Sequence, residues 1–83
     1  MKVRYFAWLR ERVGRAEEEI ALPPHIETVG DLVGWLKSRG PEFEGAFENA
    51  AVVRAALDHT HASLDTRLGQ AQEVAFFPPM TGG

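Results

Sequence analysis

The chain ends Phe76-Phe77-Pro78-Pro79-Met80-Thr81-Gly82-Gly83, and the residue types and spacing best suited to chemistry lie there. A C-terminal carboxylate is ionised at neutral pH, with a reference pKa of ~3.3, and is a poor electrophile until activated. Activated as an acyl-adenylate inside another protein's active site, the Gly83 carbonyl can accept sulfur and become a thiocarboxylate, a soft nucleophile and sulfur donor. Gly82 and Gly83 suit that use, because without a Cβ the terminus threads a narrow tunnel and nothing crowds attack on the carbonyl. Pro78 and Pro79 suit it as well. Neither can donate to a sheet ladder, so a strand ending at Phe77 stops there, and consecutive prolines hold an extended, stiff geometry that lifts the chain off the body. From Pro79 to Gly83 the arm reaches roughly 15 Å at full extension. Pro78, Pro79, Met80, Thr81 and Gly82 thus form a threading segment, and Gly83 the reacting group.

The rest of the sequence offers no competing chemistry. There are no cysteines, so neither a disulfide framework nor a thiolate metal site can be built, and sulfur cannot ride on a side chain as a persulfide. A thiocarboxylate carrier needs none. His59 and His61 alternate along one strand and could supply two metal ligands, but with His25 they lack a third and read as surface histidines, leaving no metal site. Asp58 and Asp65 sit where turn chemistry wants them. No nucleophile–base pair and no phosphate-cradling glycine loop is present. A net charge of −3 argues against nucleic acid as a partner. Residues 1–15 nevertheless hold Lys2, Arg4, Arg10, Arg12 and Arg15 against Glu11 alone. That cluster is either an ordinary solvated face or a basic edge that meets an acidic partner. No apolar run approaches the ~20 residues that span a membrane, and the start lacks a secretory signal, so a cytoplasmic protein without membrane contact is expected.

At 83 residues the chain is expected to form one domain over 1–77, followed by an extended tail over 78–83. Residues 2–8 alternate with period two, with Val3, Tyr5 and Ala7 on one face and Arg4, Phe6 and Trp8 on the other, and predict a strand. Residues 9–14 predict a short helical turn stopped by Gly14, and Glu17 to Leu22 a second strand closed by Pro23-Pro24. The main helix runs from Thr28 to Arg39. Thr28 and Asp31 form a box-like cap, and Val29, Leu32, Val33 and Leu36 make one apolar stripe, flanked by Trp35. Gly40-Pro41 stops it. Phe43 and Phe47, four apart, suggest a short helical segment over 42–50 covering part of the core. Val52 to Leu57, Thr60 to Leu64 and Glu73 to Phe77 predict three more strands, with a turn at Asp58-His59. In the last strand Val74 and Phe76 point one way, Ala75 and Phe77 the other.

This order is an α+β pattern: a mixed sheet of about five strands with one main helix packed on one face. If the first and last strands are neighbours, Phe6 and Phe77 sit side by side on the uncovered face beside Arg4, which is what a partner-binding patch looks like.

Glu73-Val74-Ala75-Phe76-Phe77-Pro78-Pro79 with Gly82-Gly83, and Phe6-Ala7-x-Leu9-Arg10-Glu11 with Gly14, carry a resemblance over essentially the whole chain. The sequence resembles the small subunits of molybdopterin synthase, the MoaD family of ubiquitin-like sulfur carriers. The resemblance implies a β-grasp fold. It implies that a ubiquitin-activating-like adenylyltransferase (MoeB-like) adenylates Gly83 with ATP, that a sulfur donor system then installs the thiocarboxylate, and that no cofactor is tightly bound. The tail would then enter the large molybdopterin synthase subunit (MoaE-like), where sulfur passes to cyclic pyranopterin monophosphate. It further implies that Phe6 and Phe77 contact both partners. A third patch position, commonly apolar in the family, is His61 here, Asp58-His59 replaces an Asn-Gln-type turn, and Gln70-Ala71-Gln72 stands where a Gly-Asp-Glu approach is usual. Alternative uses of the same tail are sulfur delivery to thiamine, cysteine or tRNA thiolation, and conjugation as a ubiquitin-like modifier. A plain interaction module with an incidental tail is the remaining alternative.

Overall fold

The computed structural model describes residues 1–79. Strands β1 (Lys2–Tyr5), β2 (Glu17–Glu19), β3 (Arg54–Leu57), β4 (Thr60–Ala62) and β5 (Glu73–Phe77) form one sheet in the order β2-β1-β5-β3-β4. The last strand is therefore the central one. It pairs parallel with β1, Val3 opposite Val74 and Tyr5 opposite Phe76, and antiparallel with β3, Ala55 opposite Phe76. Helices α1 (Ala7–Val13), α2 (Val29–Lys37) and α3 (Pro41–Ala46) and a 3-10 turn (Ala50–Val52) complete the fold.

Period-two alternation decides which side of the sheet is covered. Val3, Tyr5, Ala55, Leu57, Val74 and Phe76 all point to one side and are buried with Leu9 and Val13 of α1 and the Val29/Leu32/Val33/Leu36 stripe of α2. Phe76 lies at the middle of this core, edge-on to Phe47 at 5.0 Å between ring centroids and stacked on Tyr5 at 6.5 Å. Phe43 closes on Tyr5 at 6.3 Å, so the segment after Gly40 does cover the core, as a regular α3 rather than an irregular helix. Trp35 flanks the stripe half-buried, with the Arg39 guanidinium over its ring at 5.3 Å.

The capping box predicted at Thr28 is formed. Its Oγ1 accepts from the Asp31 N–H at 3.0 Å, and the Asp31 carboxylate accepts from the N–H groups of Thr28 and Glu27 at 3.1 Å. Those hydrogen bonds to its charged form hold the Asp31 carboxyl below its usual range. Asp58 and His59 make the β3–β4 turn with φ of 46° and 71°, the left-handed pair of a type I′ hairpin.

Several predicted elements are shorter in the structure. β1 ends at Tyr5 and not at Trp8, because Ala7 (φ 53°) turns the chain out of the sheet into α1. Ala7 and Trp8 are thus helical and exposed, and the alternation predicted over 2–8 fails beyond Phe6. Leu9 and Val13, four apart and both buried, set a helical period that outweighs the local alternation. The helical turn at its end does close on Gly14, in the left-handed region at φ 88°, with its N–H donating to the Arg10 carbonyl. β2 stops at Glu19 and β4 at Ala62, and β3 begins at Arg54 because the preceding residues coil into the 3-10 turn.

One polar network crosses the core edge. The buried Tyr5 hydroxyl donates to the Glu18 carboxylate at 2.7 Å, and Arg15 and Arg39 each donate to the same carboxylate at 3.0 Å. Burial alone would raise the Glu18 carboxyl, but hydrogen bonds from Arg39 and Tyr5 and the two guanidinium charges outweigh it and hold it below the usual value near 4.5. Burial and the neighbouring carboxylate push the Tyr5 phenol upward, so it stays a neutral donor.

Candidate functional site

The opposite side of the sheet is left open by the described residues. Its floor is Ala75 of β5 and Ala56 of β3, directly paired and half-buried, with Arg4 on the β1 side and His61 on the β4 side. Two different surfaces flank this floor.

Toward the start of β1 and β5 lies an ionic lattice. Lys2 reaches Glu17 at 3.5 Å, Arg4 reaches Glu17 at 3.9 Å and Glu73 at 3.8 Å, and His59 stands 4.0 Å from Glu73. These groups are exposed or half-exposed, and each pair is worth little alone. Together they satisfy the charges on that end. The Asp58 carboxylate adds a tie, accepting from the backbone N–H groups of Gln72 at 3.1 Å and Glu73 at 3.0 Å, so the hairpin turn pins the start of β5.

Toward the other end lie the aromatics. Phe6 caps α1, and its N–H still donates to the Phe76 carbonyl at 3.1 Å, extending the parallel ladder by one bond. Phe6 and Phe77 therefore leave neighbouring strands at the same end and on the same side. Phe6 is 40% exposed, unusual for so large an apolar residue, and the Arg4 guanidinium lies over its ring at 5.3 Å. Phe77 is half-buried, with the His61 imidazole edge-on at 5.7 Å. Arg54, exposed, stands directly opposite Phe77 and donates to the Ala51 carbonyl at 3.3 Å.

Arg4, Phe6, His61 and Phe77, separated by up to 73 positions in sequence, thus share one face. Pro78 and Pro79 follow β5 half-buried and outside any strand. The chain leaves the sheet from its central strand, beside the aromatics. Met80, Thr81, Gly82 and Gly83, including the predicted reacting group, lie outside the described residues. His59 and His61 do not converge: one faces Glu73 in the turn, the other packs on Phe77. Among the described residues no three His, Asp or Glu side chains gather as metal ligands. Neither Arg54 nor the Asp58 tie was singled out from the sequence. Alternation in Arg54-Ala55-Ala56-Leu57 does put Arg54 on the open side, but only the register sets it against Phe77.

A five-stranded mixed sheet with a central C-terminal strand and helices on one side is the ubiquitin-like β-grasp architecture. Its solved neighbours agree. A Pyrococcus furiosus chain provisionally described as molybdopterin converting factor, subunit 1, superposes with a TM-score of 0.72 at 33% identity, covering 94% of both chains. Small archaeal modifier protein 1 of Haloferax volcanii superposes with a TM-score of 0.70 over 95% of both at 23% identity, a likeness of fold alone.

The chain belongs to the ThiS family, whose model matches residues 3–83. Among curated relatives, the molybdopterin synthase sulfur carrier subunit of Escherichia coli is 37% identical over 83 residues, covering 100% of this chain and 99% of the relative.

Proposed function

We propose that this chain is the sulfur-carrier subunit of a molybdopterin synthase. The observation that carries the proposal is the exit of the central strand: β5 ends at Phe77 beside an exposed aromatic on an uncovered sheet face, and Pro78-Pro79 follow at once. A partner that docks on this face receives whatever the prolines project. Full-length similarity to a sulfur carrier subunit supports the same reading.

In the proposed cycle a Gly83 carboxylate oxygen bonds to the α-phosphorus of ATP in an adenylyltransferase, and pyrophosphate leaves. A sulfur nucleophile at the sulfide level, supplied by a donor system, adds to the acyl carbon and expels AMP, leaving the thiocarboxylate. In the large subunit that sulfur bonds to a carbon of the pterin precursor and displaces an oxygen substituent from it, leaving the tail joined as a thioester whose acyl–sulfur bond is cleaved in the next step. Water then takes the acyl carbon, restoring the carboxylate. The body contributes docking through Phe6, Phe77, Arg4 and His61, and the tail contributes the acyl group; ATP belongs to the activating enzyme. We assign the cycle to the cytoplasm; no helix among the described residues is long and apolar enough to cross a membrane.

Intact-mass measurement after incubation with the adenylyltransferase, ATP and a sulfur source tests this. One sulfur in place of one oxygen at Gly83 is the expected product, and large subunit with the pterin precursor should discharge it. Lysine-linked conjugates in its place would mean a modifier, and a thiocarboxylate that discharges only to another acceptor would mean another pathway. Removing Gly83 is expected to abolish sulfur transfer without changing the melting temperature. Phe77→Glu is expected to weaken large-subunit binding by about a hundredfold, the scale of a central aromatic anchor.

A further inference from the structure

The two arginines of the open face differ in a way that specifies the partner. Arg4 is compensated within the chain, between Glu17 at 3.9 Å and Glu73 at 3.8 Å, and it lies over Phe6. Arg54 makes no ion pair among the described residues; its one hydrogen bond there is to a neutral acceptor, the Ala51 carbonyl. A guanidinium carries five N–H donors, so most of its hydrogen-bonding capacity is left to solvent.

Arg54 is also the residue paired directly across from Phe77. Cβ atoms of such a cross-strand pair lie about 5 Å apart, within the footprint of anything that covers the ring. A partner that closes over Phe77 therefore reaches the Arg54 side chain as well. Left unpaired, that charge would cost more than the aromatic contact returns; met by a carboxylate, it becomes a desolvated, charge-assisted pair. Among the described residues, Glu17 and Glu73 of the same face already hold Arg4 and Lys2.

We propose that Arg54 is the charge-selective contact of the docking face, and that the partner protein receiving the tail presents a carboxylate to it beside the pocket that takes Phe77. The inference rests on the carrier reading for the identity of that partner. It adds the partner's local chemistry and makes Arg54 a specificity-determining residue beside the Phe77 contact. A net charge of −3 on the whole chain opposes an acidic partner at long range, so selection acts locally, at Arg54.

The test is titration calorimetry of the full chain against the large subunit of the same organism, at low and high salt. Arg54→Glu is expected to weaken binding by more than about tenfold and Arg54→Leu by about tenfold, with melting temperatures unchanged. The wild-type affinity should fall as salt rises, and the Arg54→Leu affinity should fall less steeply. Arg54→Leu that binds as well as or better than wild type would mean an apolar partner surface there and would overturn the inference, while Phe77→Glu still weakening binding by about a hundredfold would leave the carrier reading intact. Wild-type chain that does not bind the large subunit at any salt overturns both.

Discussion

The two sides of the β5 strand carry the same residue type at adjacent positions and use it for opposite ends. Phe76 is fully buried, enclosed by Phe47 and Tyr5, whereas Phe77 lies half-buried on the open side against His61 and opposite Arg54. Hydrophobicity alone does not separate them. The pleat does, and the helices then cover one side only. The covered side holds the fold together with apolar contacts and one satisfied polar network; the open side keeps an aromatic pair in water. A protein that only had to fold would gain by covering or replacing that pair. Its place beside the tail exit is what supports the proposed docking surface.

Truncating each phenylalanine gives the sharpest contrast. Phe76→Ala is expected to cost about 3–5 kcal/mol, a large part of the stability of so small a domain, measured by urea unfolding. Phe77→Ala should cost less than about 1 kcal/mol in the same assay. Equal losses would mean that both rings belong to the core, and the distinction between the two sides would fall.

Next in size is the polar network of the covered side. Glu18→Gln leaves Arg15 and Arg39 without their shared carboxylate and is expected to cost about 2 kcal/mol at neutral pH. The Glu18 carboxyl is held below its ordinary value in the folded chain, so its contribution is present above the unfolded value near 4.5 and is lost as pH falls through the lower folded value. Melting temperature should therefore drop on acidification in that window more steeply for wild type than for Glu18→Gln. Parallel profiles would show that the carboxylate is not coupled to folding.

Smaller effects belong to the chain turns that frame the two sides. Thr28→Ala removes one half of the capping box and should cost about 1 kcal/mol, read from the same unfolding curves. Gly14→Ala, at a φ of 88°, should also cost roughly 1 kcal/mol through backbone strain, with partner binding unchanged. A binding defect in Gly14→Ala would extend the docking surface onto α1.

Much of this was legible before the fold. The capping box at Thr28 and Asp31, the α2 stripe, the Gly14 stop and the turn at Asp58-His59 are local, and short-range sterics and hydrogen bonding decide them wherever the segment sits. The opposite orientations of Phe76 and Phe77 follow from strand periodicity in the same way. Where local signals conflicted, as at Ala7 and Trp8, the alternation of residues 2–8 gave way, because burying Leu9 and Val13 against the sheet depends on partners far along the chain.

The tail's composition, its prolines and the absence of cysteine are properties of the sequence by itself, and so is the choice of which faces are apolar. Tertiary structure decided the rest. It set the C-terminal strand in the centre of the sheet, brought Phe6 to the side of Phe77, and chose which arginine finds a carboxylate and which does not. Register is a non-local quantity: a shift of one residue between β3 and β5 would set Ala55, not Arg54, against Phe77. The pairing that fixes it comes from burying both strands' apolar faces at once.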